Sequence, residues 1–347
     1  MSTTMLGGAE TNVLKISEDL VENGYEVHFA TLENSGSMFK LSKSVSSYTT
    51  IGLYNKTPVK SIRSYRELLK QDFDFVLNFG LRVEVFSRIL TWFFSSRTKI
   101  ISNIRTTDSF RSNIQIWLDR LTARFVYQWI SNSEAGKRAF VLREKVKEDK
   151  IKVIYNYIDI IDDKVVTDKV ESETLVIGIL ANIREKKGHY DLIPLANILI
   201  KNGIFPEFIC AGEDNTNGDF IEKIKSNKLE KYFKFPGFIS NKSDFFNSID
   251  IFLLPSYMEG MPTSILESMN FGVPVISTNI DGIPEQIRDG YNGFLLTPGD
   301  SEGFGVAIKR LNEDSELRSD FISRSRKLIR ERFTKEVNLE LWKQSLT

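Results

Sequence analysis

The stretch Pro255-Ser-Tyr-Met-Glu-Gly-Met-Pro-Thr-Ser-Ile-Leu-Glu-Ser-Met-Asn-Phe-Gly-Val-Pro274 places one glutamate, Glu259, before a predicted helix and another, Glu267, inside it. Pro262 suits the first turn of a helix, and Gly272-Val-Pro274 ends the helix before an apolar strand. The backbone N–H groups at a helix start, with the positive end of the helix dipole, favour a phosphate or a developing anion. Either glutamate alone is more often a solvated surface residue. The whole pattern predicts an anion-binding helix start flanked by two carboxylates.

Strand-like and helix-like segments alternate along most of the chain. Segments that are typical of strands lie at residues 25–31, 75–79, 99–102, 126–131, 152–155, 175–180 and 208–211. Apolar residues at helical spacing predict helices over residues 9–20, 191–201, 218–227 and 335–344. This alternation indicates an α/β protein with parallel sheets. The charged segment 159–174 separates two strand–helix series, so the predicted domains are residues 1–168 and 169–331.

The region from residue 175 to residue 300 resembles the sugar-nucleotide site of the retaining family 4 glycosyltransferases of GT-B fold. That family's signature is two glutamates separated by seven residues, as Glu259 and Glu267 are. Similar segments lie upstream, at Phe235-Pro-Gly-Phe-Ile-Ser240 and Asp250-Ile-Phe-Leu-Leu-Pro-Ser256, and downstream, at residues 281–293 and 296–300.

The resemblance implies two Rossmann-like domains that face a central cleft. Residues 1–168 would form the N-terminal, acceptor-side domain and residues 169–331 the nucleotide-sugar-binding domain, while a terminal helix over 332–347 packs back on the first. The family's opening strand is not evident, because only Met1-Ser-Thr-Thr-Met-Leu6 precedes the pair Gly7-Gly8. Either the chain start is truncated or the first sheet lacks a member.

The loop Ala181-Asn-Ile-Arg-Glu-Lys-Lys-Gly-His189 carries the candidate cations Arg184 and Lys187. Parallel sheets bind ligands beyond the carboxyl ends of their strands, and this loop follows such a strand. Taken alone, the loop is typical of a solvated turn. By the resemblance, Arg184 and Lys187 hold the departing diphosphate, and Glu259 lies near the reacting carbon of the transferred sugar. These three are the predicted catalytic residues.

The resemblance also assigns the remaining donor contacts. Glu267 should hold the nucleotide ribose, because a carboxylate accepts two hydroxyl hydrogen bonds. The other predicted donor-binding residues are Gly260, Met261, Pro262, Thr263, Gly237, Phe238 and Gly8.

The first half offers weaker candidates for the acceptor or phosphate side, namely Gly7, Asn103 and Arg105. The two histidines, His28 and His189, do not lie where many relatives place one, and the segment around Asn103 and Arg105 takes that position. Arginine suits phosphate oxygens. Arg105 is equally compatible with an ordinary surface arginine.

Composition narrows the class of protein. Lys+Arg and Asp+Glu both number 46, and we find no nucleic-acid motif. The one cysteine, Cys210, falls in a predicted buried strand, which fits a reducing compartment.

With no signal peptide and no apolar run of about 18 residues, we expect a cytoplasmic protein. Asp72-Phe-Asp74 resembles the acidic edge of a sheet, so we expect no metal and no cofactor.

Aromatic and basic residues mix at 86–99 and 111–129, and basic residues outnumber acidic ones two to one between residues 80 and 150. This pattern predicts either peripheral contact with an anionic membrane, at its inner face, or core helices with ordinary arginines.

The resemblance implies a retaining transferase that moves a hexose or N-acetylhexosamine from a nucleoside-diphosphate sugar, UDP rather than GDP, to a glycan or lipid-linked acceptor. A GT-B sugar-nucleotide epimerase and a non-catalytic nucleotide-sugar-binding protein are the alternatives. A Rossmann dehydrogenase is disfavoured because no Gly-x-Gly-x-x-Gly follows a strand.

Overall fold

The computed structural model describes residues 8–32, 46–52, 57–95, 97–107, 111–161 and 174–347. The chain divides into two compact units, Met1–Asn156 with Glu336–Thr347 (unit 1) and Tyr157–Lys335 (unit 2). The units therefore part at residue 156, ahead of the charged segment in which the sequence places the boundary.

Helices and strands alternate in both units, as the sequence pattern predicts. The helices among the described residues are α1 (Gly8–Glu22), α2 (Pro58–Leu69), α3 (Leu81–Phe94), α4 (Asn113–Thr122), α5 (Glu134–Glu144), α6 (Leu192–Lys201), α7 (Asp219–Ser226), α8 (Lys242–Ser248), α9 (Thr263–Asn270), α10 (Ser301–Glu313), α11 (Ser315–Arg332) and α12 (Lys335–Ser345). The strands are β1 (His28–Thr31), β2 (Ser47–Thr50), β3 (Phe75–Phe79), β4 (Lys99–Ile104), β5 (Gln128–Ser131), β6 (Ile151–Val153), β7 (Val176–Leu180), β8 (Glu207–Ala211), β9 (Phe233–Gly237), β10 (Ile251–Leu254), β11 (Val275–Thr278) and β12 (Phe294–Leu296).

Local sequence signals fix several helix starts. Ser112 and Gln115 form a reciprocal capping box at the start of α4, which satisfies backbone N–H groups that the helix leaves unpaired. Asp300 accepts from the Gly303 N–H at the start of α10.

Unit 2 contains a six-stranded parallel sheet in the order β12-β11-β10-β7-β8-β9. Every residue of β10 is buried, because a parallel sheet covered on both faces needs strands that are apolar throughout. The chain builds outward from β7 through β8 to β9, then returns to the other side of β7 with β10. The sheet order thus reverses between β7 and β10. In open parallel sheets, ligands bind beyond the carboxyl ends of the strands at such a reversal.

The strands of unit 1 that the structure describes form two parallel sheets, β1-β2 and β3-β4-β5-β6. A cavity of about 540 Å³ is lined by residues of both β1 and β3. The predicted absence of an opening strand concerns residues 1–6, which lie outside the described residues.

The C-terminal helix α12 belongs to unit 1. Trp342 is buried with its ring 6.5 Å from that of Phe79 on β3. Lys99 Nζ donates to the Thr347 carbonyl at 2.9 Å, and Lys152 Nζ donates to Ser345 Oγ at 3.2 Å. These contacts fasten the last helix to β3, β4 and β6, as the resemblance to the GT-B fold implies.

Candidate active site

Two loops meet where the sheet of unit 2 reverses, one after β7 and the other after β10. Gly188 in the first loop has φ +74° and lies so close to the second that a Cβ there would stand 1.9 Å from the Pro255 carbonyl oxygen. The Tyr257 N–H donates to the Lys186 carbonyl at 2.9 Å. Backbone contacts at Lys186 and Gly188 therefore join the two loops on either side of Lys187.

Lys187 and Glu259 form a direct ion pair, with Lys187 Nζ 2.6 Å from Glu259 Oε1. Glu259 is buried, with 7% of its surface exposed, whereas the Lys187 side chain keeps 24% of its surface. Burying a carboxylate is costly unless it is paired and hydrogen-bonded, and this one is both. The structure thus brings together two of the three predicted catalytic residues.

Two further residues, which sequence reasoning missed, hold Glu259 in place. Ser256 Oγ is fully buried and donates to Glu259 Oε1 at 2.7 Å. The Glu259 N–H donates to Asp281 Oδ2 at 2.9 Å. Ser256 and Asp281 both lie in segments that resemble the family, so their place in the sequence was a signal that could have found them.

The third predicted catalytic residue, Arg184, lies in the same loop as Lys187, whose N–H donates to the Arg184 carbonyl at 3.0 Å. It precedes a short 3₁₀ turn, Glu185–Lys187, and its side chain is exposed. The exposure of the Arg184 side chain to solvent is also what a simple solvated turn would show.

The start of α9 lies beside Glu259, with Gly260 and Met261 buried in the connecting loop. Thr263 is the first helical residue, and Pro262 precedes it as the N-cap with φ −68° and ψ 118°. The prediction that Pro262 sits in the first turn is therefore wrong by one position, because its ψ is extended. Pro262 gives no side-chain cap, and its carbonyl accepts from Gln286 Nε2 at 3.0 Å.

Glu267, on α9, pairs with Lys242 at the start of α8, with Lys242 Nζ 2.6 Å from Glu267 Oε1. The second oxygen, Oε2, is buried and has no hydrogen-bond partner among the described residues. Burial raises the pKa of Glu267, and the neighbouring Lys242 opposes that rise. Nothing in the sequence linked Lys242 to Glu267. An unpaired buried carboxylate oxygen is able to accept a hydrogen bond from a ligand.

The predicted base-side residues lie at the end of β9. Gly237 has φ +72°, and its carbonyl accepts from the Gly212 N–H at 2.9 Å. Phe238 follows with its ring exposed, which is an arrangement that can stack on a flat ligand.

The candidates of unit 1 cluster around the end of β4. Arg105 is half-buried, donates to Asn12 Oδ1 on α1 at 2.7 Å, and lies 5.9 Å from the Phe79 ring. Burial lowers the pKa of Arg105 to about 10, and the charge of Glu10 opposes this effect.

The remaining unit 1 candidates are Asn103, Gly8 and Gly7. Asn103 is buried, and its Nδ2 donates to the Asn78 carbonyl at 3.0 Å. Gly8 begins α1 and is exposed, while Gly7 lies outside the described residues. The contact between Arg105 and Asn12 therefore brings Arg105 to the helix that Gly8 begins.

Neither a cluster of metal ligands nor a membrane-spanning helix occurs within the described ranges. No group of three or more His, Cys, Asp and Glu side chains there is placed to hold a metal ion. Likewise, within the part of the chain that the structure covers, no helix has the length and apolar character needed to cross a bilayer.

Comparison with known proteins matches nearly the whole chain to two family models. The model "Glycosyl transferases group 1" matches residues 162–328, and the model "Glycosyltransferase Family 4" matches residues 6–161. The capsular polysaccharide biosynthesis glycosyltransferase CapM of Staphylococcus aureus is 22% identical over 306 residues, which cover 82% of this chain and 79% of the relative. The UDP-Gal:alpha-D-GlcNAc-diphosphoundecaprenol alpha-1,3-galactosyltransferase of Escherichia coli is 23% identical over 343 residues, covering 90% and 87%.

Among solved structures, Anabaena Alr3699/HepE in complex with UDP and glucose superposes with a TM-score of 0.85 at 20% identity, covering 100% of this chain and 97% of that one. This likeness shows the fold. With one family model on each half of the chain and the same fold throughout, the chain belongs to the family 4 glycosyltransferases of GT-B fold.

Proposed function

We propose that the chain moves a hexose or N-acetylhexosamine from a nucleoside-diphosphate sugar, UDP in preference to GDP, to a glycan or lipid-linked acceptor, with retention at the anomeric carbon. The observation that carries this proposal is the contact between Lys187 and Glu259 at the reversal of the unit 2 sheet.

In this proposal Lys187 neutralises the departing diphosphate. Its side chain is the more exposed member of the pair, which leaves an approach for a phosphate. A fixed cation stabilises the charge that develops as the bond to the sugar breaks. The start of α9, which has no side-chain cap, adds backbone N–H groups and the positive end of the helix dipole.

Glu259 would then accept hydrogen bonds from hydroxyls of the transferred sugar. Ser256 and Asp281 fix it from two sides, so it keeps its position when Lys187 turns to the phosphate. A pre-positioned carboxylate needs little reorganisation when the reaction occurs, which is the basis of electrostatic catalysis.

Glu267 would hold the ribose of the nucleotide. Its Oε2 has no partner among the described residues, while Lys242 favours the ionised form of the carboxylate. Two ribose hydroxyls can donate to one carboxylate. Phe238, exposed at the end of β9, would lie beside the base.

The names of relatives support the donor and acceptor classes. The E. coli relative is named for a UDP-linked galactose donor and a lipid-diphosphate-linked acceptor, and HepE was crystallised with UDP and glucose. Family membership favours transfer over the epimerase and the non-catalytic binding protein. Retention comes from the family resemblance, and so does the expectation that neither a metal nor another cofactor is needed.

A panel of UDP- and GDP-sugars on the purified protein tests this proposal. A donor that binds the folded state should raise the melting temperature, and with a suitable acceptor it should yield a glycoside and a free nucleoside diphosphate. Glu259→Gln and Lys187→Met should each lower kcat by about 10²–10³-fold, the range seen when one stabilising group is removed.

The matched control is Lys234→Met, which removes an exposed ion pair with Glu207 (2.8 Å) from the same sheet. It should leave transfer unchanged. Transfer at wild-type rates by both site variants would refute the residue assignment. A converted sugar nucleotide without any glycoside would instead favour the epimerase, and an inverted product, seen by NMR, would refute retention.

A further inference from the structure

Helices α3 and α4 of unit 1 expose large apolar side chains to solvent. Trp92 and Phe93 on α3 are 59% and 71% exposed, and Trp117 on α4 is 60% exposed. Ile89 on α3 and Ile114 and Leu121 on α4 are exposed as well. On each helix these positions are spaced by three or four residues, so they share one face.

The two apolar stripes adjoin one another. The Trp92 ring stacks on Phe125, in the 3₁₀ turn Ala123–Phe125 that follows α4, with the ring centroids 4.7 Å apart and the planes 28° apart. This contact joins the two helices at one end, and we term the six exposed side chains together with Phe125 the α3–α4 face. Contiguous exposed apolar surface of this kind marks an interaction site in soluble proteins.

Neither α3 nor α4 contributes an exposed carboxylate to the α3–α4 face. The only acidic residues of α3 and α4 are Glu84 and Asp119, and both are buried. The buried Arg88 pairs with Glu84 at 2.8 Å and with Asp119. Asp119 also pairs with Arg111, so neither acid contributes negative charge to the surface.

Cations do reach the surface beside the apolar stripes. Arg97, Arg120 and Arg124 are all exposed. Arg124 lies over the Phe125 ring at 4.8 Å, at the point where the two stripes meet. The sequence pattern grouped Arg88 and Arg111 with these cations, but in the structure both form ion pairs with buried carboxylates of unit 1. Of the exposed arginines, Arg124 lies over an aromatic ring, and Arg120 donates to the Arg143 carbonyl.

We propose that the α3–α4 face binds the surface of an anionic lipid bilayer. Tryptophan and phenylalanine insert at the boundary between headgroups and acyl chains, and arginines at the same level pair with anionic headgroups. Charge complementarity favours this occupant over a second copy of the chain, since an arginine-rich face opposed to itself is repelled. The binding is independent of the donor site, because none of these residues belongs to it.

Flotation of the full chain with vesicles tests the inference. The protein should float with vesicles of phosphatidylcholine and phosphatidylglycerol at a ratio of two to one, and much less with phosphatidylcholine alone. The double variant Phe93→Ser/Trp117→Ser should lower the partition coefficient at least tenfold. The control Phe205→Ser/Val306→Ser removes two apolar side chains of unit 2 that are equally exposed, at 59% and 68%, and should bind as wild type.

A second variant separates charge from apolar contact. Arg97→Gln/Arg124→Gln should reduce the preference for phosphatidylglycerol and the sensitivity of binding to salt. An unchanged melting temperature and an unchanged shift with donor show that each variant is folded. Ile114→Ser serves in place of the double variant if that one does not fold.

Three outcomes would overturn the inference. Wild-type protein could fail to float with either vesicle, or the α3–α4 variants could float as well as wild type. Alternatively, sedimentation could show a dimer that Phe93→Ser/Trp117→Ser dissociates, with no lipid binding by either form, and a second copy would then be the occupant.

Discussion

Replacing Gly188 by alanine should uncouple the two loops of the donor site. Gly188 combines a left-handed backbone, φ +74°, with close approach to Pro255, whose carbonyl oxygen would lie 1.9 Å from the new Cβ. The left-handed conformation costs an alanine about 1–2 kcal/mol. Relief of the overlap requires the backbone to move, at a further cost of about 1–3 kcal/mol. Gly188→Ala should therefore lower the free energy of unfolding by about 2–5 kcal/mol.

Gly203→Ala is the matched control. Gly203 lies in the same unit with φ +78°, and a Cβ there meets nothing within 4 Å. In this variant only the left-handed backbone conformation lowers the free energy of unfolding, by about 1–2 kcal/mol. The difference between the two variants, measured by urea unfolding, isolates the contact between the loops.

Activity should separate the two variants further. Lys187 is the neighbour of Gly188, and relief of a 1.9 Å overlap needs the loop to move by about 1 Å, which misplaces the Lys187 ammonium relative to Glu259. Small misplacements of catalytic groups cost up to about 10²-fold, so we expect at least a tenfold loss of kcat/KM for Gly188→Ala and none for Gly203→Ala. Equal destabilisation by the two substitutions, or full activity of Gly188→Ala, would refute this reasoning.

Three further predictions concern buried charges. Burial lowers the pKa of His189 to about 4 from 6.5. Between these two pH values only the unfolded chain is protonated at this residue, so the free energy of unfolding should fall by up to about 3 kcal/mol as the pH falls from 6.5 to 4. His189→Leu should flatten that pH dependence, as measured by urea unfolding. Lys242→Met should raise the donor KM increasingly towards acid pH, because burial already raises the pKa of Glu267 and the variant removes the cation that opposes it. Arg88→Met should cost about 3–5 kcal/mol in urea unfolding, because it leaves the Asp119 carboxylate buried with one partner fewer.

Each of these has an outcome that would contradict it. A wild-type protein equally stable at pH 4 and pH 7 would show that His189 is not held neutral by burial. A donor KM of Lys242→Met that is independent of pH would separate Lys242 from the ionisation of Glu267. Lys70→Met, which removes an exposed pair with Glu67, controls for Arg88→Met, and comparable losses from the two would mean that burial adds nothing.

The sequence alone predicted the alternation of helices and strands and named the candidate donor-site residues. Helix and strand periodicity, with Gly and Pro at the boundaries, is a local property, so β3 is predicted residue for residue, and the other segments with predicted ranges agree to within a few residues. The Glu259–Glu267 stretch is also local, since one loop and one helix carry both carboxylates. The placement of Pro262 failed by one position because backbone dihedral angles at a helix start depend on what the preceding loop packs against.

Only the tertiary structure decided which side chains meet. The contact between Lys187 and Glu259 joins residues 72 positions apart and depends on β10 pairing with β7, while Lys242 meets Glu267 across 25 positions with no local signal. Likewise, Arg88 has the same sequence context as a surface arginine, yet the fold buries it against Glu84 and Asp119. Sequence periodicity sets which face of an element is apolar, whereas the order of strands in a sheet is set by long-range packing. The pairing of charges across loops follows from that order.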